Sequence, residues 1–361
     1  MPFNPRYAIT PEIALALTRI ETSRCAVEYL PVSVGLLHGL RQSARLKSTH
    51  YSTRIEGNPL SQEAVDRAVV AGKVGQGWQQ DEVLFYYRAQ DLVETLARAT
   101  TPLKESDIRR LHGMAYHGRQ RGTPYRTEQN VIRHAGGGIV YLPPEPQDVP
   151  ILMKELVAWI KLKTQGPVDR LPVPIIAALV HYQIATIHPY IDGNGRLARL
   201  LATLILHKHG YGMNGIYALE EYYWETRAAY YAALEIGPSH NYYLGRAEAD
   251  VTPFVAYFTE GMAQACNQVR EQIERISETG VPDQRAVLRE LSNEQRQILS
   301  LFANQAEVTA RDIGGFFGVK PQRARQICRE WVRQGFLVVA NASDRRRSYR
   351  LAAHLDVLAK P

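Results

Sequence analysis

Two strongly apolar segments joined by a short polar one constrain the fold of this chain more than any other feature. The segments are PVPIIAALVHYQIATI, residues 172–187, and RLARLLATLILHKHG, residues 196–210. Their length and apolar character predict two buried helices at the centre of a helical protein. Between them, residues 188–195 read HPYIDGNG. A histidine, an acid and two glycines therefore precede the N-terminus of a buried helix.

Residues at the start of the second helix predict an anion site. Unpaired N–H groups and the helix dipole both favour negative charge at a helix N-terminus. Gly193 and Gly195 allow the backbone to approach a phosphate closely, and Asn194 can donate a hydrogen bond from its amide. Arg196 and Arg199 lie three residues apart on one helical face, so both can reach a polyphosphate.

Two further residues of the loop add reactive chemistry. Asp192 offers the oxygen ligand that Mg²⁺ prefers beside phosphates. His188 has the only side chain in the loop with an ordinary pKa suited to a general base near neutral pH. The loop therefore predicts phosphoryl or nucleotidyl transfer. It is not a Walker A loop, because the sequence contains no GxxxxGK[ST].

HPYIDGNGRLAR, residues 188–199, resembles the signature of the Fic family, HxFx[DE]GNGRxxR. The departure is Tyr190, which stands where phenylalanine is usual and should still anchor the loop in the core. The stretch YRTEQNVI…GGGIVYLPPEPQDVPILM resembles the family's flap hairpin, and TPFVAYF resembles its closing helix. The resemblance covers residues 10–275 and implies a Fic-type helical bundle with a short β-hairpin flap.

The resemblance also implies an activity, the transfer of AMP from ATP to a Tyr, Thr or Ser hydroxyl of a protein. His188 would be the base and Asp192 would hold Mg²⁺. The intact Gly195 favours this reaction over the phosphate transfer of the relative Doc, which has lysine there. Residues implied to bind the nucleotide are Gly193, Asn194, Gly195, Arg196, Leu197, Ala198, Arg199, Tyr230 and Tyr231. For the two tyrosines, ordinary packing of an amphipathic helix is an equal alternative.

The stretch STRIEGN, residues 52–58, has two interpretations. One is a plain helix end, with Glu56 in solvent and Gly57-Asn58-Pro59 as the stop. The other follows from the resemblance, because the stretch fits the inhibitory motif [ST]xxxE[GN] of some Fic proteins. Ser52 and Glu56 lie four apart on one helical face. In the family this glutamate pairs with the second arginine of the signature, here Arg199, and takes the place of the ATP γ-phosphate.

The fold class predicted for the chain is mainly α, followed by a small α+β winged helix domain. We expect an N-terminal helical region with the inhibitory motif over residues 1–100, a catalytic core over 101–278, a linker over 279–292 and the winged helix over 293–355. Within the core, residues 122–146 read as a short hairpin around Gly136-Gly137-Gly138. Helix starts and stops include Thr10-Pro11 and Gly57-Asn58-Pro59.

Charge is concentrated in the C-terminal region. The net charge is +7, and residues 293–361 contain 12 Lys/Arg against 6 Asp/Glu. This asymmetry favours a polyanionic partner. The basic residues predicted for the second helix of a helix–turn–helix and for the wing tip are Lys320, Arg323, Arg325, Arg329, Arg333, Arg345, Arg346 and Arg347. They suit DNA phosphates. Dimerisation or a protein partner is the alternative for this domain.

The sequence also leads to expectations about the cellular compartment and the function of the chain. Cys25, Cys266 and Cys328 are far apart, which indicates free thiols in the cytoplasm, and the sequence predicts no membrane partner. We expect a self-inhibited protein adenylyltransferase that uses ATP and Mg²⁺, modifies a protein substrate and itself, and is open to homodimer formation. The alternatives are a nucleotide-responsive DNA-binding regulator that modifies itself, and an enzyme that removes AMP with Glu56 orienting a water.

Overall fold

The computed structural model describes residues 3–29, 34–133, 139–165, 170–237, 239–278, 291–302, 305–343 and 347–358. The chain forms two compact units, one of Met1–Cys25 with Ala44–Gln268 and one of Ala26–Ser43 with Val269–Pro361. The fold is mainly helical, as predicted. Most of the predicted linker lies outside the described residues.

Helices build the first unit almost entirely. Their bounds are α1 Pro11–Tyr29, α2 Val34–Ile55, α3 Gln62–Ala71, α4 Trp78–Arg98, α5 Glu105–His117, α6 Val149–Gln165, α7 Val173–Ile187, α8 Asn194–Lys208, α9 Leu219–Glu225, α10 Arg227–Leu234 and α11 Thr252–Glu278. Parts of α1, α2 and α11 belong to the second unit. α4, from the predicted N-terminal region, packs on α5 and α8 of the predicted core. These two regions therefore share one unit.

Local sequence signals set several helix ends. α1 begins at Pro11, and the Thr10 hydroxyl accepts a hydrogen bond from the N–H of Ile13 at 3.4 Å. α2 ends at Ile55, two residues before Gly57, whose φ of 97° no helix can continue. Both predicted boundaries are confirmed.

α7 and α8 form the centre of the first unit. From Pro174 to Ile184 every residue of α7 is buried, and α8 packs against α7, α4 and α5. α7 carries no charged side chain that would require solvent, so it can be enclosed on all sides. Each fully buried Ile or Leu here contributes about 1.5–3 kcal/mol to the free energy of folding. The segment between α7 and α8 is thereby fixed at both ends by core helices.

The predicted hairpin between α5 and α6 is present as two short strands. β1 Ile132–Arg133 pairs antiparallel with β2 Ile139–Tyr141. The Tyr141 hydroxyl donates a 2.8 Å hydrogen bond to the carbonyl oxygen of Thr186, near the end of α7. The predicted turn at Gly136-Gly137-Gly138 lies outside the described residues. The hairpin is thus attached to the helix that leads into the polar loop.

The second unit contains a small α+β arrangement with its own core. Its elements are α12 Asn293–Phe302, β3 Val308–Thr309, α13 Ala310–Phe317, α14 Pro321–Arg333, β4 Leu337–Asn341 and β5 Ser348–Leu351. The sheet order is β3-β5-β4, with both pairs antiparallel. Residues including Ile298, Ile313, Trp331 and Phe336 form the core. The short strand β3 was absent from the prediction because two residues carry no periodicity.

The cysteines and the helix lengths bear on the cellular setting. Cys25, Cys266 and Cys328 are free thiols, as predicted. Among the helices that the structure describes, none combines the length and the apolar character needed to span a bilayer.

Candidate active site

His188 ends α7 in a backbone conformation that few side chains adopt. Its φ of 50° is left-handed, and its N–H still donates to the Ile184 carbonyl at 2.9 Å. Non-glycine residues in this region are strained by roughly 1 kcal/mol or more, and such strain concentrates at functional sites. The left-handed turn, followed by Pro189, directs the chain away from the α7 axis and into the polar loop.

The His188 imidazole is held neutral with one nitrogen available. Its Nδ1–H donates to the Ala185 carbonyl oxygen at 3.2 Å, because a carbonyl can only accept. Nε2 is therefore the unprotonated nitrogen. Burial lowers the pKa of His188 to about 4, so the ring is neutral at physiological pH. A neutral imidazole with a fixed tautomer is what a general base requires.

Side chains brace the loop between the helices from inside. The Asn194 amide accepts from the Tyr190 N–H at 3.0 Å and donates to the Tyr190 carbonyl at 2.8 Å. Asn194 is predicted to donate to a phosphate, and the structure uses its amide oxygen and one amide N–H to brace the loop. Tyr190 is buried, as expected, and its ring stacks on His112 at 3.6 Å.

Gly193 lets the loop turn directly into α8. Its φ is 80°, and a Cβ there would lie 3.0 Å from His112 Nε2 and 3.1 Å from Tyr116 Cδ2. The first intrahelical bond runs from the Leu197 N–H to the Gly193 carbonyl at 3.0 Å. The N–H groups of residues 194–196 precede that bond and point out of the helix end. This is the predicted anion site.

Asp192 lies at the mouth of this helix end. Its side chain is 59% exposed, and Oδ1 accepts the Gly193 N–H at 2.6 Å. Among the described residues, no group of three His, Cys, Asp or Glu could hold a metal by itself. One exposed carboxylate beside an anion site does fit Mg²⁺, which binds through one or two carboxylates plus substrate phosphates. The residues therefore suit Mg²⁺ that arrives with a nucleotide, with Asp192 as the protein ligand.

The two arginines of the motif are both buried and both paired with carboxylates. Arg196 Nη1 lies 2.8 Å from Glu82 Oε1. Burial raises the pKa of Glu82, although the positive charge of Arg196 opposes this rise. Asn58 Nδ2 donates to the other oxygen of Glu82 at 2.7 Å. Glu82 therefore holds Arg196 in place from outside the motif.

Arg199 is bound by the STRIEGN stretch. Its Nη2 donates to Glu56 Oε1 at 2.6 Å and to the Ser52 carbonyl at 3.0 Å, while Nε donates to Ser52 Oγ at 2.8 Å. The guanidinium is 1% exposed, and the Glu56 carboxylate raises its pKa against the effect of burial. The resemblance implies the pairing of Glu56 with Arg199, and the structure brings the two together and adds the two contacts of Ser52.

Gly195 lies directly beneath the Glu56 carboxylate. A Cβ at residue 195 would lie 2.3 Å from Glu56 Oε1 and 3.2 Å from Arg199 Nη1. The absence of a side chain therefore allows the carboxylate to sit on the helix N-terminus. Glu56 occupies the place where an anionic ligand of Arg199 would bind.

The remaining predicted nucleotide residues are placed differently from one another. Leu197 and Ala198 are fully buried in the core, so neither side chain can contact a ligand. Tyr230 is buried, its hydroxyl lies 2.9 Å from His181 Nε2, and the nearby Arg199 opposes the rise of its pKa that burial causes. Tyr231 is 39% exposed, and its hydroxyl donates to the Ile55 carbonyl at 3.4 Å, beside Glu56. Of the two tyrosines, Tyr231 is accessible to a ligand.

Sequence reasoning missed three residues that hold the loop. His112 Nε2–H donates to the Asp192 carbonyl at 2.9 Å. Arg126 Nε donates to the His188 carbonyl at 2.9 Å, and its other nitrogens reach carbonyls of the hairpin segment. Glu82 binds Arg196. Arg126 lies in the stretch YRTEQN, which resembles part of the family's flap region. That stretch gave no sign of its role, because an arginine that binds backbone carbonyls leaves no motif.

Comparison with known proteins agrees with the geometry. Residues 102–206 match the sequence model of the Fic/DOC family. Over 254 residues, 68% of this chain, the sequence is 27% identical to the protein adenylyltransferase Fic of Drosophila erecta, of which it covers 46%. The chain thus spans about half the length of the curated relatives it matches.

Solved structures show the same fold. A Fic family protein from Desulfovibrio desulfuricans superposes with a TM-score of 0.58 at 22% identity, covering 97% of this chain and 99% of that one. A Fic-1 fragment from C. elegans gives a TM-score of 0.56 at 25% identity, covering 74% of each chain.

Proposed function

We propose that this chain, which carries a Fic domain over residues 102–206, is a self-inhibited protein adenylyltransferase. It transfers AMP from ATP to a Tyr, Thr or Ser hydroxyl of a protein and releases pyrophosphate. The observation that carries the proposal is the neutral His188 imidazole, whose free nitrogen lies in a loop that ends at the N-terminus of α8.

His188 performs the proton transfer. Nε2 takes the proton of the acceptor hydroxyl as the oxygen forms its bond to the α-phosphorus, and the bond to the leaving pyrophosphate breaks. Because Nδ1–H stays on the Ala185 carbonyl, the ring keeps its orientation during the reaction. Such a base contributes about a hundredfold to ten-thousandfold to the rate.

The N-terminus of α8 stabilises the phosphate charge. Backbone N–H groups of residues 194–196 and the buried Arg199 supply fixed positive charge at the N-terminus of α8. Arg196 already forms an ion pair with Glu82, so part of its charge is neutralised before a phosphate binds. Mg²⁺ supplied with ATP neutralises phosphate charge, and Asp192 is the residue that would hold it.

Glu56 inhibits the enzyme by occupying Arg199. ATP can place its γ-phosphate on Arg199 only when the Glu56 carboxylate leaves. A charge-assisted hydrogen bond of this kind stabilises the closed arrangement by about 1.5–3 kcal/mol. The unreleased enzyme is therefore expected to run at a small fraction of its full rate.

Incorporation of label from [α-³²P]ATP into protein tests both roles. Glu56→Gly is expected to raise labelling by roughly tenfold to a hundredfold, as the lost stabilisation implies. His188→Ala in the Glu56→Gly background is expected to lower it by at least about a hundredfold. Glu248→Gly, which changes an exposed turn glutamate, is the matched control.

Two outcomes would contradict the proposal. Equal labelling by the unmodified chain and Glu56→Gly, with Glu248→Gly unchanged, would remove the inhibitory role. Full labelling by the double variant would remove His188 as the base.

A further inference from the structure

The second unit presents a helix pair joined by a tight turn. α13 ends at Phe317 and is followed by Gly318, whose φ is 64°, and α14 begins at Pro321 after Val319 and Lys320. The Val319 N–H returns to the Gly314 carbonyl at 3.0 Å, which closes the turn. Two helices with a three-residue turn containing glycine form a helix–turn–helix.

One face of α14 is committed to the core. Ala324, Ile327, Cys328 and Trp331 are all at most 4% exposed. They follow one another at helical spacing and belong to the hydrophobic core of the unit, apart from the small Ala324, which packs under Gly314 of α13. The opposite face is therefore turned to solvent.

The exposed face of α14 carries a regular polar stripe. Gln322, Gln326, Arg329 and Arg333 follow at spacings of four, three and four residues, so they lie in one line along the helix. A helix advances by 100° per residue, which places this line directly opposite the buried one. All four side chains are exposed. We call them the reading stripe.

Positive charge surrounds the reading stripe, and Glu330 is the one acid among the residues of α14. Lys320, Arg323 and Arg325 flank it and are exposed. Among the described residues of the chain, no salt bridge involves a basic residue of α14. Two acids of the unit are used internally, since Asp312 caps α13 and Glu307 accepts from Ser348. The face therefore has a strongly positive potential.

We propose that the reading stripe binds the major groove of duplex DNA, independently of the transferase site. A helix with exposed side chains fits the major groove, which is about 12 Å wide, whereas the deep groove of duplex RNA is too narrow. Arginine is the usual partner of guanine and glutamine of adenine, so the stripe itself can contact base edges. The flanking Lys320, Arg323 and Arg325 can contact phosphates on either side.

Binding of the full chain to a fluorescent duplex of about 20 base pairs, two turns of DNA, tests the proposal. Arg323→Ala/Arg325→Ala, which removes two phosphate contacts, is expected to weaken binding at least tenfold and to reduce the slope of log K against log salt by about 1.8. Arg67→Ala/Lys73→Ala removes the same charge from exposed positions elsewhere and should leave both values unchanged.

A second variant distinguishes recognition of the base sequence from plain attraction to the phosphates. Gln322→Ala/Gln326→Ala should keep the salt slope but lose preference among duplexes selected from a random pool. The proposal is overturned by any of three results: no duplex binding at about 50 mM salt, equal binding by the arginine variant, or stronger binding to single-stranded RNA or an acidic peptide than to the duplex. Unchanged melting temperatures confirm that the exposed substitutions leave the fold intact.

Discussion

At the scale of single residues, the environment of His188 determines how the reaction should depend on pH. Burial lowers the pKa of His188 to about 4, and the Glu56 carboxylate counteracts part of that effect. The base is neutral, and hence active, at every pH above its pKa. Removing Glu56 takes away a charge that raises this pKa, so the released enzyme should keep its base to still lower pH.

We therefore expect the labelling rate of Glu56→Gly at saturating ATP to stay flat from pH 8 to about pH 5. An unperturbed histidine would lose half of its activity near pH 6.5. Initial rates measured across this range check the prediction, with circular dichroism at each pH as the control for folding. A fall centred near pH 6.5 would show that His188 is not desolvated as the structure has it.

The residue scale also shows what the sequence could and could not predict. The contact of Glu56 with Arg199 was predicted through the resemblance to the Fic family, because each residue belongs to a motif of that family. Arg126 binds the His188 carbonyl from 62 residues away. Its partners are backbone carbonyls, which every residue type offers, so no pattern of side chains marks them.

At the scale of elements, the start of α8 depends on the absence of a side chain at Gly193. Alanine there is strained twice, by a φ of 80° and by contacts of 3.0 Å and 3.1 Å to His112 and Tyr116. Gly210 offers a matched control, since its φ is 85° and a Cβ there would meet nothing within 4 Å.

We expect Gly193→Ala to weaken ATP binding to the Glu56→Gly enzyme by at least tenfold, because the helix N-terminus must shift to admit the Cβ. Gly210→Ala should show only the backbone cost of about 1–2 kcal/mol in the free energy of unfolding. Isothermal titration and denaturant unfolding measure the two effects. Equal ATP affinity in both variants would mean that the helix end does not bind the phosphates.

The elements differ in how well they could be predicted. α7 and α8 follow from long apolar segments, and the ends of α1 and α2 follow from proline and glycine. The hairpin was predicted by its residue types, but its attachment to α7 through Tyr141 depends on tertiary contacts. β3 is only two residues long and forms because β5 lies beside it.

At the scale of the whole molecule, three buried imidazoles make the first unit sensitive to acid. Burial lowers the pKa of His112 and His188 to about 4 and that of His181 to about 3. The unfolded chain takes up these protons near pH 6.5. Between pH 6.5 and about 4 the unfolded state therefore binds more protons, so stability falls as the pH falls.

For each unit by which the pH falls within that window, each of these histidines should lower the free energy of unfolding by about 1.4 kcal/mol. We expect the unfolding free energy to drop steeply between pH 6 and 5, as measured by urea titration. His112→Asn should make the slope shallower by about one proton, whereas His240→Gln, at an exposed position, should not. A slope that is the same in all three proteins would contradict the burial of His112.

Gly195 has a genetic consequence, because the same bare backbone admits the Glu56 carboxylate and, in the proposed function, the phosphate that this carboxylate replaces. A substitution at residue 195 disturbs inhibition and substrate binding together. A change at Glu56 disturbs inhibition alone, whereas Ser52 also holds Arg199 in place through its hydroxyl. Selection for hyperactive alleles should therefore recover mutations at Glu56 and never at Gly195, whereas selection for inactive alleles should recover Gly195 freely.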